Sequence, residues 1–587
     1  MDPTPGDKTN VSHSSYLDAT LAALRNAKSD TEKFAAILVL TKVINPTLMS
    51  EDILSKILKN MGVPFIVKLL LVTDSPPECP PEMFQSLGVQ ILSAFVSHSN
   101  VSTLVLPAIE ALKPLLQSEN VELRSQVYSC LSQLSKHEFG CKALLQVGFG
   151  PQLADAYKNE NVSEALNILA AAVDCSSTDF SAAWLEELLK HAATKFRLDQ
   201  GLHKFELCHC ISKLLNRCNI SEDSEHVILG DLRFGLKDVL TSRLSSEMRT
   251  AAFTLLGSVL CKFGSPFIAE WDNNLFSLAI ILASTEVQLQ LAEKLDIAIL
   301  IPCYQILEVA FQNMDVVATS KLNQVLGCIR EAFKRIITFM IQSTENQTDS
   351  SIVLATARVL CAWLAEDSMS LREQVAQVLP ILLTLATEQK QLIPFLVPGL
   401  CHATADDKLR PVVLHHSFLP CLFEYLTKQW SEIRKDHSAA DRLETVCGVF
   451  LNLVVLEQEC LLEAAPFSDL LAFCLTNTSA VPQECAVLKG NLVVLGLFLL
   501  RMKIKVIHIG SGPTSDCEIL RQFLVHAVQF IRTAQDYSDQ DCDEISNLQS
   551  LGVSVLEGLQ NESGSELSAY IRKLTSEMGA VSKLGLL

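Results

Sequence analysis

Positive charge is scarce in this chain: 47 lysines and arginines stand against 66 aspartates and glutamates, a formal balance of −19. Non-specific nucleic-acid binding depends on cations displacing counterions from phosphate, so wrapping a phosphate backbone is disfavoured. Long apolar runs are also missing. The most apolar stretch, Leu492 to Leu500, lies between Lys489 and Arg501 and is far short of the roughly 20 residues a bilayer crossing needs. Residues Met1 to Ser15 have no apolar centre of the kind a secretory signal requires. Aromatics amount to 6%, while hydrophobic residues reach 49%, so the core material is aliphatic and ample, and global disorder is excluded.

The familiar motifs of enzyme chemistry are absent too. There is no His-Glu-x-x-His and no Gly-x-Ser-x-Gly, and Gly510-Ser511-Gly512 lacks both the P-loop lysine and the dinucleotide spacing. Cys208-His209-Cys210 has metal-ligand residue types, but on a helix residues two apart project about 200° from each other, so the two thiols diverge. Cys401-His402, His415-His416 and Cys421 match no zinc spacing and read as an interhelical turn with incidental histidines. Asp539 to Glu544 opens like a calcium loop, yet Glu544 stands where glycine is needed and Ser550 where the bidentate glutamate belongs, which leaves a solvated acidic linker. No catalytic residue, cofactor or metal is expected. The 19 cysteines are spread from Cys79 to Cys542, mostly within aliphatic stripes, the pattern of buried free thiols in a reducing compartment. A soluble cytoplasmic protein is the expectation.

What the chain has in quantity is helical periodicity. Leu17, Leu21 and Leu24 begin it; Phe34, Ile37 and Leu38 continue it; Ile53, Leu54, Ile57 and Leu58 follow. In Gly62-Val63-Pro64 a glycine ends one helix and a proline sits in the first turn of the next, where its missing N–H is harmless. The same corner returns at Gly148 to Pro151 and, without glycine, at His416 to Pro420. Three such corners predict an all-α, armadillo/HEAT-like α-solenoid of stacked helix pairs, with about a dozen pairs in repeats of roughly 40 residues.

The clearest unit is a helix hairpin. Val359, Leu360, Trp363 and Leu364 share one stripe, and Leu371, Val375, Val378, Leu379 and Leu382 another, so each helix has a face it cannot bury alone. Trp363 and Leu379 are expected to be core, buried against one another or against adjacent helices. Ser370 with Glu373 fits a capping box at the start of the second helix, and Pro380 predicts a kink or break inside it. Thr73 to Pro81 reads as an exposed elbow, and Ser343 to Ser351 and Lys428 to Asp441 as polar connections.

The organisation expected is a disordered lead-in over 1–15, a helical-repeat domain over 16–502, an irregular acidic connection with a helix over 503–544, and C-terminal helices over 545–587. Lys503 to Ile509 alternates like a short strand. Arg501, Lys503 and Lys505 make the one candidate contact patch, for an anionic membrane or an acidic partner. Three charges contribute at most about 3 kcal/mol at an anionic surface, enough only for weak peripheral association, and cations at a helix C-terminus complement its dipole without further role.

Several phrases together resemble the neurochondrin family. They are Tyr16-Leu17 with Ala23 to Asp30 and Phe34-Ala35-Ala36; Cys79-Pro80 with Leu87-Gly88-Val89; Lys204 to Cys208; Arg358-Val359-Leu360 with Ala362 to Glu366; Ser370-Leu371-Arg372; Pro398 to His402; and Phe450 to Val455. The resemblance implies an armadillo-like cytosolic scaffold without catalysis. It further implies partners among G-protein-coupled receptor tails and calmodulin-dependent kinase II, a role in neurite outgrowth and neuronal signalling, and placement in neurites, dendrites and synapses. Vertebrate members carry adjacent N-terminal cysteines thought to be lipidated, whereas the first cysteine here is Cys79.

Overall fold

In the computed structural model the residues described are 19–43, 51–75, 79–96, 105–175, 182–292, 295–343, 349–367, 370–435, 438–457, 466–503, 515–532, 542–561 and 566–582. Among them every regular element is a helix. Contacts divide the chain into two compact units, Met1–Leu275 and Phe276–Leu587. The expected lead-in at 1–15, the strand-like alternation from Ile504 onward and the acidic run Asp539 to Asp541 lie outside the described residues.

Beyond a helical stretch at 19–26, the first unit contains α1 (Asp30–Val43), α2 (Glu51–Met61), α3 (Val63–Leu70), α4 (Pro81–Val96), α5 (Leu106–Glu110), α6 (Val121–Leu134), α7 (Glu138–Val147), α8 (Gly150–Glu160), α9 (Ser163–Asp174), α10 (Ala183–Leu198), α11 (His203–Leu215), α12 (Glu222–Leu240), α13 (Ser246–Phe263) and α14 (Ser265–Ala269). Two layers form. Helices α4, α6, α9, α11 and α13 pack in succession, while α8, α10 and α12 stack as a second row. The core between them is aliphatic, with Leu131, Leu169, Leu188, Leu214 and Leu256 buried.

Start signals explain where these helices begin. Asn120 Oδ1 accepts the Leu123 N–H at 3.1 Å before α6, and Ser245 caps α13 through the Met248 N–H. The corners are built as the Gly and Pro spacing predicts. Gly62 (φ +82°) precedes α3 with Pro64 in its first turn, and Gly148 (φ +84°) ends α7 just before Pro151 enters α8. A further corner, Gly264 (φ +50°) with Pro266 in α14, was not singled out in the sequence reading. At each, a side chain with a Cβ would strain the left-handed backbone.

The second unit contains α15 (Asn273–Ala292, whose first turn falls at the boundary), α16 (Ile297–Phe311), α17 (Leu322–Ser343), α18 (Ser350–Glu366), α19 (Arg372–Glu388), α20 (Ile393–Ala405), α21 (Arg410–His415), α22 (Leu419–Glu432), α23 (Ser438–Leu456), α24 (Phe467–Asn477), α25 (Ala486–Lys503), α26 (Ser515–Arg532), α27 (Cys542–Asn561) and α28 (Glu566–Ser582). One row runs α16, α18, α20, α23, α25, α27; α17 packs on α19 and α19 on α21 in the other. The apolar run Leu492 to Leu500 lies in α25 and is buried throughout, as a helix apolar on all sides must be. By length and composition α15 is the helix among the described residues apolar enough to cross a membrane, and half of that window is buried inside the structure.

Three local expectations are corrected. The capping box does not form: α19 begins at Arg372 behind Leu371, without a side-chain cap. Ser370 instead gives both donors to Asp367, its N–H to Oδ1 at 3.0 Å and its hydroxyl to Oδ2 at 2.5 Å, and Glu373 is exposed. In a cap the hydroxyl oxygen would accept a helical N–H; here Ser370 is turned to donate to a carboxylate in a charge-assisted bond, and Leu371 holds the N-cap position. Of the kink or break expected at Pro380, the break is absent: Pro380 lies inside an unbroken α19, with the Thr384 hydroxyl donating to its carbonyl at 2.9 Å. The polar connection expected over Lys428 to Asp441 is shorter, because α22 runs on to Glu432 and α23 starts at Ser438.

Candidate interaction surface

The hairpin α18–α19 fixes the geometry of the surface. Its two helices sit in different rows: α18 packs against α16, α17 and α20, and α19 against α17 and α21. Trp363, 2% exposed, stacks its indole on Phe333 of α17, with ring centroids 4.8 Å apart and planes 19° from parallel. Leu364 and Leu379 are buried as well. Of the two burials open to Trp363, against Leu379 or against an adjacent helix, its ring takes an aromatic partner on the preceding helix.

With that stripe turned inward, the opposite face of α18 is presented outward. Arg358 lies there, its Nη2 donating to Glu308 Oε2 of α16 at 3.0 Å. Its guanidinium carbon lies 4.5 Å from the ring centroid of Phe395 on α20, a cation–π contact. Phe395 itself is 38% exposed, and Arg358 is more exposed still. One residue from each of three successive helices of the row therefore meets at the surface. The close approach that allows this comes from Gly399: a Cβ there would stand 2.8 Å from the Cβ of Leu364.

Burial raises the Glu308 carboxyl above its usual range, against the opposing pull of Arg358. Further along the row, the Asn452 amide of α23 donates to the Cys401 carbonyl at 2.9 Å and to the Thr404 hydroxyl at 3.2 Å, bracing α20. Glu484, Glu444 and Asp441 are electrostatic neighbours of Cys485, and Glu544 of Cys401. These carboxylates lie beside Cys485 and Cys401, whereas the carboxylate paired with Arg358 is Glu308.

Polar rungs tie successive helices together elsewhere. Arg197 meets Asp231 at 3.0 Å, Lys204 meets Asp238 at 2.6 Å, and Lys390 meets Glu424 at 2.7 Å. Each pair is 34 residues apart in sequence, as are Arg372 and Asp406. These spacings give the repeat register that the diverged apolar pattern obscured.

Of the expected contact residues, Arg501 and Lys503 occupy the last turn of α25. Arg501 is half-buried, and a Cβ on Gly558 of α27 would meet its guanidinium carbon at 3.1 Å; Lys503 donates to the Ser468 hydroxyl of α24. Lys505 lies outside the described residues. The histidine and cysteine groups are not brought together. His415 bonds the Pro411 carbonyl and His416 the Thr384 hydroxyl. Cys208 and Cys210 are buried while His209 is exposed, and the Cys210 thiol, pushed up to about 12 by burial, faces the Asn167 side chain at 3.0 Å. Among the described residues no group of three or more His, Cys, Asp or Glu is placed to hold a metal ion.

Stacked helix pairs in two rows, glycine–proline corners and recurring 34-residue rungs define an armadillo-like helical-repeat protein. The family model for neurochondrin matches residues 11–541. Chicken neurochondrin is 26% identical over 83% of this chain and 77% of its own length, and human neurochondrin 27% over 88% and 78%. The neurochondrin homolog of Drosophila melanogaster is 25% identical over 82% and 78%. Among solved structures, a chain from a study of the interaction between cadherin and beta-catenin aligns with TM-score 0.47 at 10% identity, over 92% of this chain and 100% of that one. A designed armadillo repeat protein aligns with TM-score 0.31 at 14% identity, over 41% and 99%. This chain belongs to the neurochondrin family.

Proposed function

We propose that the protein is a non-enzymatic scaffold that receives extended or helical segments of signalling partners on the outward face of the α16–α18–α20 row. The observation carrying this reading is the Glu308–Arg358–Phe395 line, which crosses three successive helices and offers one aromatic and one charge-paired anchor on a chain of net charge −19. Aromatic and arginine anchors at packed surfaces dominate protein recognition, and an acidic setting favours basic partners by steering their approach. Family membership supports the finer reading: receptor tails and calmodulin-dependent kinase II as partners, in neuronal cytoplasm, in support of neurite outgrowth.

The test is a pull-down series with basic receptor-tail and kinase peptides at rising salt. Salt-sensitive capture that falls about tenfold or more in Phe395→Ala supports the reading. Capture that neither salt nor this substitution changes overturns it.

A further inference from the structure

Among the described residues nine cysteines are buried, Cys361, Cys447 and Cys474 completely. One pair in the first unit differs. Cys141 of α7 is buried, and its thiol faces the Ser135 carbonyl at 3.1 Å and the Ala171 carbonyl at 3.6 Å. The backbone N–H of Cys175, the residue that follows α9, donates to the same Ala171 carbonyl at 3.2 Å. Two cysteines 34 residues apart in sequence are therefore anchored on one acceptor, and their side chains lie within hydrogen-bonding reach of each other. Cys175 is exposed. Lys142 is its electrostatic neighbour, and Asp174 is a neighbour of Cys141.

This combination of an accessible thiol backed by a sheltered one is the arrangement that a reversible two-cysteine oxidation needs. We propose that Cys141 and Cys175 form an oxidative modification site, in which a peroxide oxidises the exposed thiol and the buried thiol then closes an intramolecular disulfide between α7 and the end of α9. In the first step the Cys175 sulfur attacks one peroxide oxygen; the O–O bond breaks, Cys175 becomes a sulfenic acid, and one water leaves. In the second the Cys141 sulfur attacks the sulfenic sulfur; the S–O bond breaks, and the departing hydroxide takes the Cys141 proton as a second water. Two thiols are oxidised and one peroxide is reduced to two waters. Burial, and next Cys175 itself, push the Cys141 thiol up to about 12. The second step is accordingly the slower one and depends on local opening of α7 against α9.

The experiment uses the full, reduced chain and hydrogen peroxide. Peptide mapping without reductant should recover Cys141 linked to Cys175, with two free thiols lost per chain and both restored by dithiothreitol. Closing this loop should raise the thermal midpoint by about 2–5 °C. Cys175→Ser, a surface change, should abolish the cross-link and the rise. Cys141→Ala should leave Cys175 as a sulfenic acid that dimedone captures. Wild-type protein in which Cys175 passes to sulfinic acid with Cys141 still a free thiol would overturn the proposal, as would a cross-link that persists in Cys175→Ser.

Discussion

Helices α18 and α25 are nearly equal in length, at 17 and 18 residues, and both are rich in aliphatic side chains, yet they are used in opposite ways. α25 is buried continuously from Gly490 to Leu500, enclosed by α23, α24, α26 and α27. α18 buries Val359, Leu360, Trp363 and Leu364 and leaves Arg358 and Glu366 exposed. A helix enclosed on all sides has stability to give and no face left over. A helix with one packed stripe can hold the fold and present a surface at once. Its charges sit at its two ends: Lys489, half-buried in the first turn, and Arg501 and Lys503 in the last turn, where they already contact α27 and α24.

The sharpest way to test this division is to remove the inward side of α18. Trp363→Ala should cost about 3–5 kcal/mol in denaturant melts, because a buried indole and its stack on Phe333 are lost together. A neutral result would make this face a docking surface and reverse the comparison. Gly399→Ala comes next. Its new Cβ would meet the Leu364 Cβ at 2.8 Å, so α20 must move off α18, at a cost of about 1–3 kcal/mol from overpacking, and Phe395 should lose its seat beside Arg358. A stable Gly399→Ala variant with unchanged peptide capture would separate the close approach from the surface.

Glu308 gives a pH signature. Its folded carboxyl is raised by burial, so the folded chain holds this proton at pH values where the unfolded chain has released it. Its contribution is therefore fully present below the unfolded value and is lost as pH rises through the raised folded value. Glu308→Gln should flatten that fall, read as the difference between the two stability profiles; identical profiles would place Glu308 outside the balance. The smallest effect is expected from Arg501→Gln with Lys503→Gln. Because both side chains already have contacts within the unit, co-sedimentation with anionic vesicles should change by less than about twofold, in line with the weakness of isolated surface charges. A larger loss would restore α25 as a contact site.

Much of the fold was legible because its signals are local. Gly62, Gly148 and Pro64 mark corners through backbone conformation alone, and the stripes of α18 and α19 follow from a 3.6-residue period. The candidate surface was less legible. Nothing in the local sequence marks Arg358 or Phe395, since their contact is made across 37 residues and between two helices. The signal that could have found it was the repeat spacing itself: charges about 34 residues apart, as in Lys204 with Asp238 and Lys390 with Glu424, show which helices are neighbours. The Ser370–Glu373 box failed for a related reason: the turn before α19 aims the Ser370 hydroxyl at the Asp367 carboxylate and leaves Leu371 at the N-cap.

By itself the sequence determined that this chain is helical, acidic, built on an aliphatic core and turned at glycine–proline corners, because periodicity, charge and backbone freedom are properties of neighbouring residues. Tertiary structure decided which stripe each helix buries against which neighbour, that Trp363 meets Phe333, that Gly399 admits α18 close enough for Arg358 to lie over Phe395, and that Cys141 and Cys175 converge on one carbonyl. Those outcomes depend on contacts between distant segments, whose energies exist only once the helices are stacked.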